Sequence, residues 1–295
     1  MNSPASPPPS WELLRGRWPN ADASRFVRAA DLQWHVQVLG TGPVALLLHG
    51  SWSASHSWRD IAPLLARHFT VIVPDLPGHG FTSRPTSAHM SLAGIASALD
   101  ALLRALPESQ SSTPAVIAGH SAGGAIALQM ATVDARAPRS VVGINAALVA
   151  PGAIVSALAP AIRMLTRTGL IGALASRVAD SDWMLSALMR STGSTISPQQ
   201  YELYRAFARS REHSDAVMEM FAGWDVTALN RALPSIEAPV TLVVGAKDGW
   251  VPAADAERVA RLLPHATVVT LPNAGHIAHE EFPVRVAEII AGSVP

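Results

Sequence analysis

The stretch Gly119-His120-Ser121-Ala122-Gly123 sets one serine between two glycines, and Gly124 follows directly. A G-x-S-x-G pattern suits a nucleophile on a sharp strand-to-helix turn, where positive φ and close backbone approach exclude larger residues. A serine at its ordinary pKa is a weak nucleophile and needs a base oriented by an acid, met along the chain in the order Ser, Asp or Glu, His. Asp248, in Gly245-Ala246-Lys247-Asp248-Gly249, and His276, in Pro272-Asn273-Ala274-Gly275-His276, supply that order. Acyl transfer further requires two N–H donors for the tetrahedral oxyanion. Ala122, next after the serine, is expected to give one; the loop His49-Gly50-Ser51-Trp52 gives the other, with Ser51 assigned and Trp52 as the alternative.

Competing readings of these residues are weaker. The chain has 11 histidines, and a single imidazole is ordinarily a core or surface group, the reading adopted for His35, His68, His89, His213 and His265. His279 and Glu280 follow His276 closely, but their order matches neither H-E-x-x-H nor H-x-x-E-H, so no metal site is expected. Glu280 and Glu281 are instead expected to stabilise the start of the last helix. Asp75-Leu76-Pro77-Gly78-His79-Gly80 lacks both G-x-G-x-x-G and a P-loop lysine; it reads as a tight turn whose Asp75 anchors neighbouring loops.

The elements that would position these groups follow from apolar patterning. Short apolar runs ending in Gly or a polar cluster occur at Val44–Leu48, Phe69–Val73, Ala115–Ala118, Val141–Ile144, Val240–Val244 and Thr267–Leu271. Helical spacing lies between them at Trp58–Arg67, Leu92–Leu106, Ala122–Val133, Ala253–Leu263 and Val284–Ala291. Such alternation predicts a parallel sheet covered on both faces. A leading pair, Phe26–Ala29 and Gln33–Val38 with Asp31 at the turn, reads as antiparallel. Ser121, Asp248 and His276 then each sit just past a strand, at the sheet edge where open α/β folds place ligands.

One connection is too long for a crossover, since 96 positions separate Ile144 from Val240 and about thirty residues suffice. Residues 151–225 are therefore expected to form a helical cap, with Gly169, Gly172 and Gly193 as breaks. The core is assigned to 21–150 and 226–295, and 1–20 to an N-terminal tail. The row Ile154, Leu158, Ile162, Leu165, with Trp183, Met184, Leu188 and Met189 further on, predicts that the cap confines an apolar ligand. Trp52, His120, Trp183, Met184 and Leu188 are the residues assigned to that pocket.

Composition excludes other classes. No cysteine removes disulfides, thiolate catalysis and iron–sulfur clusters. Equal totals of 22 basic and 22 acidic residues leave no footprint for nucleic acid. The Pro/Ser-rich start has no secretory pattern, and Pro151, Pro160, Arg163 and Arg167 interrupt the most apolar stretch, so a cytoplasmic protein with at most peripheral membrane contact is expected. No cofactor is expected.

His49-Gly50, Asp75 to Gly80, the elbow at Ser121, Asp248 and His276 together resemble the α/β-hydrolase superfamily, over the chain from about Arg25 onward. The resemblance implies a mostly parallel eight-stranded sheet with helices on both faces and an inserted cap. Dehalogenases and many epoxide hydrolases of that superfamily carry Asp at the elbow, where Ser121 stands here; the alternative acid position is Asn145, which leaves Asp248 in the role. Trp18-Pro19-Asn20, Asp22 to Val27, Trp34-His35-Val36-Gln37 and Phe69 to Thr82 are similar to the bacteriochlorophyll-biosynthesis branch, whose role is tied to magnesium chelatase. This narrower likeness implies tetrapyrrole metabolism, beside the photosynthetic membrane and with the chelatase as partner. Two functions are carried forward: a serine hydrolase forming acyl-Ser121 on an ester-like bond of an apolar substrate such as a tetrapyrrole, and a non-catalytic porphyrin-binding accessory protein of the chelatase.

Overall fold

The structure is a computed structural model describing residues 10–85, 90–109, 113–133, 137–149, 168 and 181–295. Helix α1 (Trp11–Leu14) precedes the hairpin of β1 (Ser24–Ala29) and β2 (Leu32–Leu39). Its two-residue turn, Ala30-Asp31, has φ of 51° and 59°, the left-handed pair that matches the twist of a tight hairpin. Then come β3 (Val44–Leu48), α2 (Ile61–Leu65), β4 (Thr70–Pro74), α3 (Leu92–Ala105), β5 (Val116–His120), α4 (Ala122–Ala131) and β6 (Val141–Ile144). Between β6 and β7, in the span expected to form the cap, the described residues hold α5 (Asp182–Ser191), α6 (Pro198–Ala208) and α7 (Arg211–Ala222). Helix α8 (Thr227–Ala232), β7 (Val240–Gly245), α9 (Ala253–Ala260), β8 (Ala266–Leu271), α10 (Ala278–Glu281) and α11 (Pro283–Gly292) complete the chain.

The eight strands form one sheet in the order β1-β2-β4-β3-β5-β6-β7-β8, parallel from β4 onward and antiparallel at β1–β2 and β2–β4. Every residue of β3, β4, β5 and β6 is buried, as continuous apolar runs in a doubly covered sheet require. Alternate side chains separate the two cores. Leu46 and Leu48 pack with α3 and α4 on one face, whereas Ala45 and Leu47 pack with α2 and α11 on the other.

The expected helix over Trp58–Arg67 is divided into a 3₁₀ turn, Ser55–Trp58, and α2. Pro63 is the cause: it lacks an N–H and crowds the carbonyl four residues earlier, so the α-helix starts only just before it. The N-terminal boundary also differs. Residues 10–20, assigned to the tail, are packed: Leu14 and Trp18 are buried against Ala54 and the cap residue Phe207. Gln37 Nε2 donates to the Pro19 carbonyl at 2.6 Å and ties this segment to β2. In the cap, Ser181, Ser197 and Ser210 cap their helices through side-chain oxygens, and Ser197 with Gln200 completes a capping box. The row Ile154, Leu158, Ile162, Leu165, with Gly169 and Gly172, lies outside the described residues. Among the described residues, no helix is long and apolar enough to cross a membrane.

Candidate active site

Ser121 joins β5 to α4 with φ 51° and ψ −115°, outside the regions open to an ordinary L-residue. The flanking glycines make this turn feasible. A Cβ on Gly119 would lie 2.1 Å from the Gly123 carbonyl oxygen, and one on Gly123 would lie 2.3 Å from that of Leu48. The serine N–H donates to the Ile144 carbonyl (2.9 Å) and its carbonyl accepts from Ala147 N (3.0 Å), so β6 braces the strained turn.

Asp248 follows β7 and His276 follows β8, and the two meet Ser121 at the strand ends. His276 Nδ1 lies 2.8 Å from Asp248 Oδ2, and its Nε2 lies 3.1 Å from Ser121 Oγ. An ionised carboxylate only accepts hydrogen bonds, so Asp248 fixes the imidazole proton on Nδ1 and leaves the Nε2 lone pair toward the serine. Asp248 Oδ1 accepts from the N–H groups of Trp250 (2.7 Å) and Val251 (2.9 Å), and Oδ2 also accepts from Asn145 Nδ2 (2.6 Å). Burial alone would raise this carboxyl. The His276 hydrogen bond and charge, with the two backbone donors, outweigh that and hold it below the ordinary carboxylate value. Asn145, considered only as an alternative acid position, is thus a donor to the acid.

The loop after β3 is fixed by His49, whose Nδ1 donates to the Gly50 carbonyl (2.8 Å) while Nε2 accepts from Leu76 N (2.8 Å). Ser53 N closes a turn on Gly50 O (3.3 Å), and Trp52 within it has φ 63°. Ser51, Trp52 and Ser121 border one cavity, while Ala122 opens α4, where a helix leaves its first N–H groups unpaired. His120 Nε2 donates to the His276 carbonyl (2.8 Å), and its ring lies 4.9 Å from that of His276. Burial, then the neighbouring His276 charge, pushes His120 down to about 3, so it stays neutral beside the site.

Asp75 anchors loops, as the sequence suggests: it accepts from Ser55 N (2.6 Å), Phe81 N (2.9 Å) and the buried His35 ring (2.8 Å). Glu280 does not stabilise the last helix. It is buried in α10 and bonded to Arg59 and to Tyr204 of the cap. Glu281 likewise turns away, accepting from Gly275 N (2.8 Å) and Thr195 N (3.0 Å). The ring of His279 packs between His120 (4.2 Å) and Trp58 (4.8 Å). Among the described residues, no cluster of three His, Asp or Glu side chains could hold a metal.

The cavity above Ser121 has a volume of about 460 Å³ and is mostly apolar. Trp52, His120 and Leu188 line it, but Trp183 and Met184 do not; they are 73% and 39% exposed. Helix phase explains this correction. Leu185, Leu188, Met189 and Thr192 recur at i, i+3, i+4 and i+7 on the inward stripe of α5, which leaves residues 183 and 184 outside. Tyr204, Met218, Phe221 and Trp250 also line the cavity and were not singled out from the sequence. Only the phase of α5 was readable in advance, because α6, α7 and the residue-250 loop reach the cavity through tertiary packing.

Known proteins share the fold that carries this site. The model of the alpha/beta hydrolase family matches residues 45–289. The magnesium-chelatase 30 kDa subunit of Rhodobacter capsulatus is 38% identical over 270 residues, covering 90% of this chain and 93% of that protein. Pimeloyl-acyl-carrier-protein methyl ester esterase of Xanthomonas oryzae is 29% identical over 88% of this chain and 100% of its own length. Among solved structures, an alpha/beta hydrolase fold protein from Burkholderia ambifaria superposes with TM-score 0.75 at 24% identity, covering 92% of this chain and 98% of that one. A thermophilic esterase from Thermogutta terrifontis gives 0.71 at 24% identity, over 91% and 97%. By sheet order, elbow and family match together, the chain belongs to the alpha/beta hydrolase family.

Proposed function

We propose that this protein is a serine hydrolase that cleaves an ester-like bond of an apolar substrate through an acyl-Ser121 intermediate. One observation carries the reading: Ser121 Oγ, His276 and Asp248 form a continuous hydrogen-bonded chain of 3.1 and 2.8 Å at the floor of an apolar cavity. Ser121 Oγ attacks the substrate carbonyl carbon while His276 Nε2 takes the hydroxyl proton; Asp248 stabilises the imidazolium. The oxyanion is held by the N–H of Ala122 and that of Ser51, with Trp52 as the alternative second donor. Collapse breaks the ester bond, and His276 returns the proton to the departing alkoxide. Water, deprotonated by His276, then attacks the acyl-serine and releases the acid.

The likeness to the chelatase 30 kDa subunit supports a tetrapyrrole substrate in bacteriochlorophyll biosynthesis, in the cytoplasm beside the photosynthetic membrane, with magnesium chelatase as partner. The same likeness supports the second reading, a porphyrin-binding accessory protein without turnover, since it exceeds the likeness to the named esterase. A fluorophosphonate probe tests the first reading. Wild type should be labelled and Ser121→Ala spared; equal labelling of both, or none of wild type, refutes it. The readings part in a cell lacking the gene: Ser121→Ala restores pigment only if turnover is dispensable.

A further inference from the structure

The turn that closes the cap helix α5 lies against both loops that carry Asp248 and His276. The Thr192 carbonyl accepts from His276 N (2.9 Å) and from Gly249 N (3.3 Å), joining the two loops through one oxygen. Ser194 Oγ accepts from Ile277 N at 2.8 Å. Glu281 closes the other side, one carboxylate oxygen on Thr195 N (3.0 Å) and the other on Gly275 N (2.8 Å). Trp250 Nε1 donates to Ser191 Oγ at 3.0 Å.

Three glycines allow this approach. A Cβ on Gly193 would lie 1.9 Å from the Lys247 carbonyl oxygen, one on Gly249 2.1 Å from that of Ser191, and one on Gly275 2.3 Å from the Gly193 carbonyl carbon. Gly193 also has φ +73°, the left-handed conformation of a helix C-terminal glycine. A C-cap explains that dihedral angle but not the contact with Lys247, and it explains neither Gly249 nor Gly275. Thr192 borders the substrate cavity as well, so one turn touches the ligand space and both loops.

We infer that the cap turn Ser191–Thr195 is a positioning element, clamped between the Asp248 and His276 loops and setting their spacing. Its effect on turnover rests on the hydrolase reading above; the clamp itself does not. Gly193 has no contact with substrate to make and acts only through the loops it spaces. The cap is therefore part of the catalytic frame as well as a cover.

Gly193→Asn and Gly193→Ala separate this role from helix capping, because Asn tolerates left-handed φ but brings a Cβ. Two readouts are taken on each folded variant: kcat and KM for p-nitrophenyl acetate across pH, and amide hydrogen exchange over residues 246–250 and 274–278. A misplacement of this kind should cost on the order of 10²-fold in kcat with KM little changed in both variants. The kcat–pH profile should shift, and exchange in the two loops should accelerate while the sheet stays protected. An Asn variant with wild-type kcat, pH profile and loop exchange overturns the inference. Should neither Gly193 variant fold, Ser194→Ala decides, since it removes one acceptor and adds no volume: about fivefold lower kcat and faster exchange at Ile277 are expected, and no change in either overturns the clamp. Exchange reads the clamp without turnover, so an inert wild type with loosened loops in the variants counts against the hydrolase reading alone.

Discussion

Acidification from pH 7.5 to 5 should destabilise this protein, and the reason is a set of buried neutral histidines. His49, His56, His79, His120, His213 and His279 are each at most 4% exposed. Burial, the largest cause in every case, holds all six below the ordinary imidazole value, and His79 and His120 fall to about 3. Both nitrogens of His56, His213 and His279 lack hydrogen-bond partners, and the charge of Asp75 only partly offsets the cost of charging His56 and His213. A folded-state pKa depressed below the unfolded value stabilises the fold fully above that unfolded value, near 6.5, and the contribution is lost as pH falls. At pH 5 each histidine that remains neutral forfeits about 2 kcal/mol, from roughly 1.5 pH units at about 1.4 kcal/mol each. His79 and His120 together then remove about 4 kcal/mol, a large fraction of a typical domain's stability of about 5–15 kcal/mol, and the other four act in the same direction. Urea midpoints at pH 7.5, 6 and 5 measure this, with His213→Phe as the comparison, since its ring packs against Phe207 and Trp52. The variant should show a smaller loss of stability between pH 7.5 and 5 than wild type. Equal wild-type stability at pH 7.5 and 5 would refute the reasoning.

Three other outcomes follow from the same structure. Asp248→Asn should lower kcat by about 10³–10⁴-fold, less than the roughly 10⁶-fold of Ser121→Ala, because it misorients the imidazole without removing the nucleophile; steady-state ester hydrolysis ranks the two. Leu185→Asp should destabilise the cap and abolish long-chain ester hydrolysis, whereas Met184→Asp, one residue away but 39% exposed, should leave melting temperature and KM nearly unchanged. Glu280 carries the opposite pH sign to the histidines: burial, only partly countered by Arg59 and Tyr204, raises it to about 7. Its stabilising protonated form is complete below the unfolded value near 4.5 and is lost as pH rises through about 7. Glu280→Gln should therefore remove up to about 3 kcal/mol of a contribution that opposes the histidines between pH 5 and 8, read as a steeper melting-temperature profile than that of wild type.

The elements that end at the strand tips were readable because each apolar run stops in a short Gly-containing loop, which marks where Ser121, Asp248 and His276 must stand. Their mutual distances were not, since the sheet order alone brings the ends of β5, β7 and β8 together, with β6 between β5 and β7. Trp18 illustrates a harder limit. Its burial depends on Phe207, far along the chain, so the local sequence gives nothing for it to pack against. Glu280 fails for the same reason, because its partners Arg59 and Tyr204 lie 221 and 76 positions away. On α5 the apolar residues are evident from the sequence, but Trp183 lies on the outer face rather than the cavity face; Leu185 at 4% exposure fixes the phase.

The most direct measurement is the intact mass of the protein quenched during turnover of p-nitrophenyl butyrate. Wild type should carry one butyryl group on Ser121, formed with the burst of nitrophenol and lost as the acid is released. Ser121→Ala should show neither adduct nor burst. Turnover at the wild-type rate by Ser121→Ala, or steady hydrolysis with the acyl group on another residue, would contradict the account.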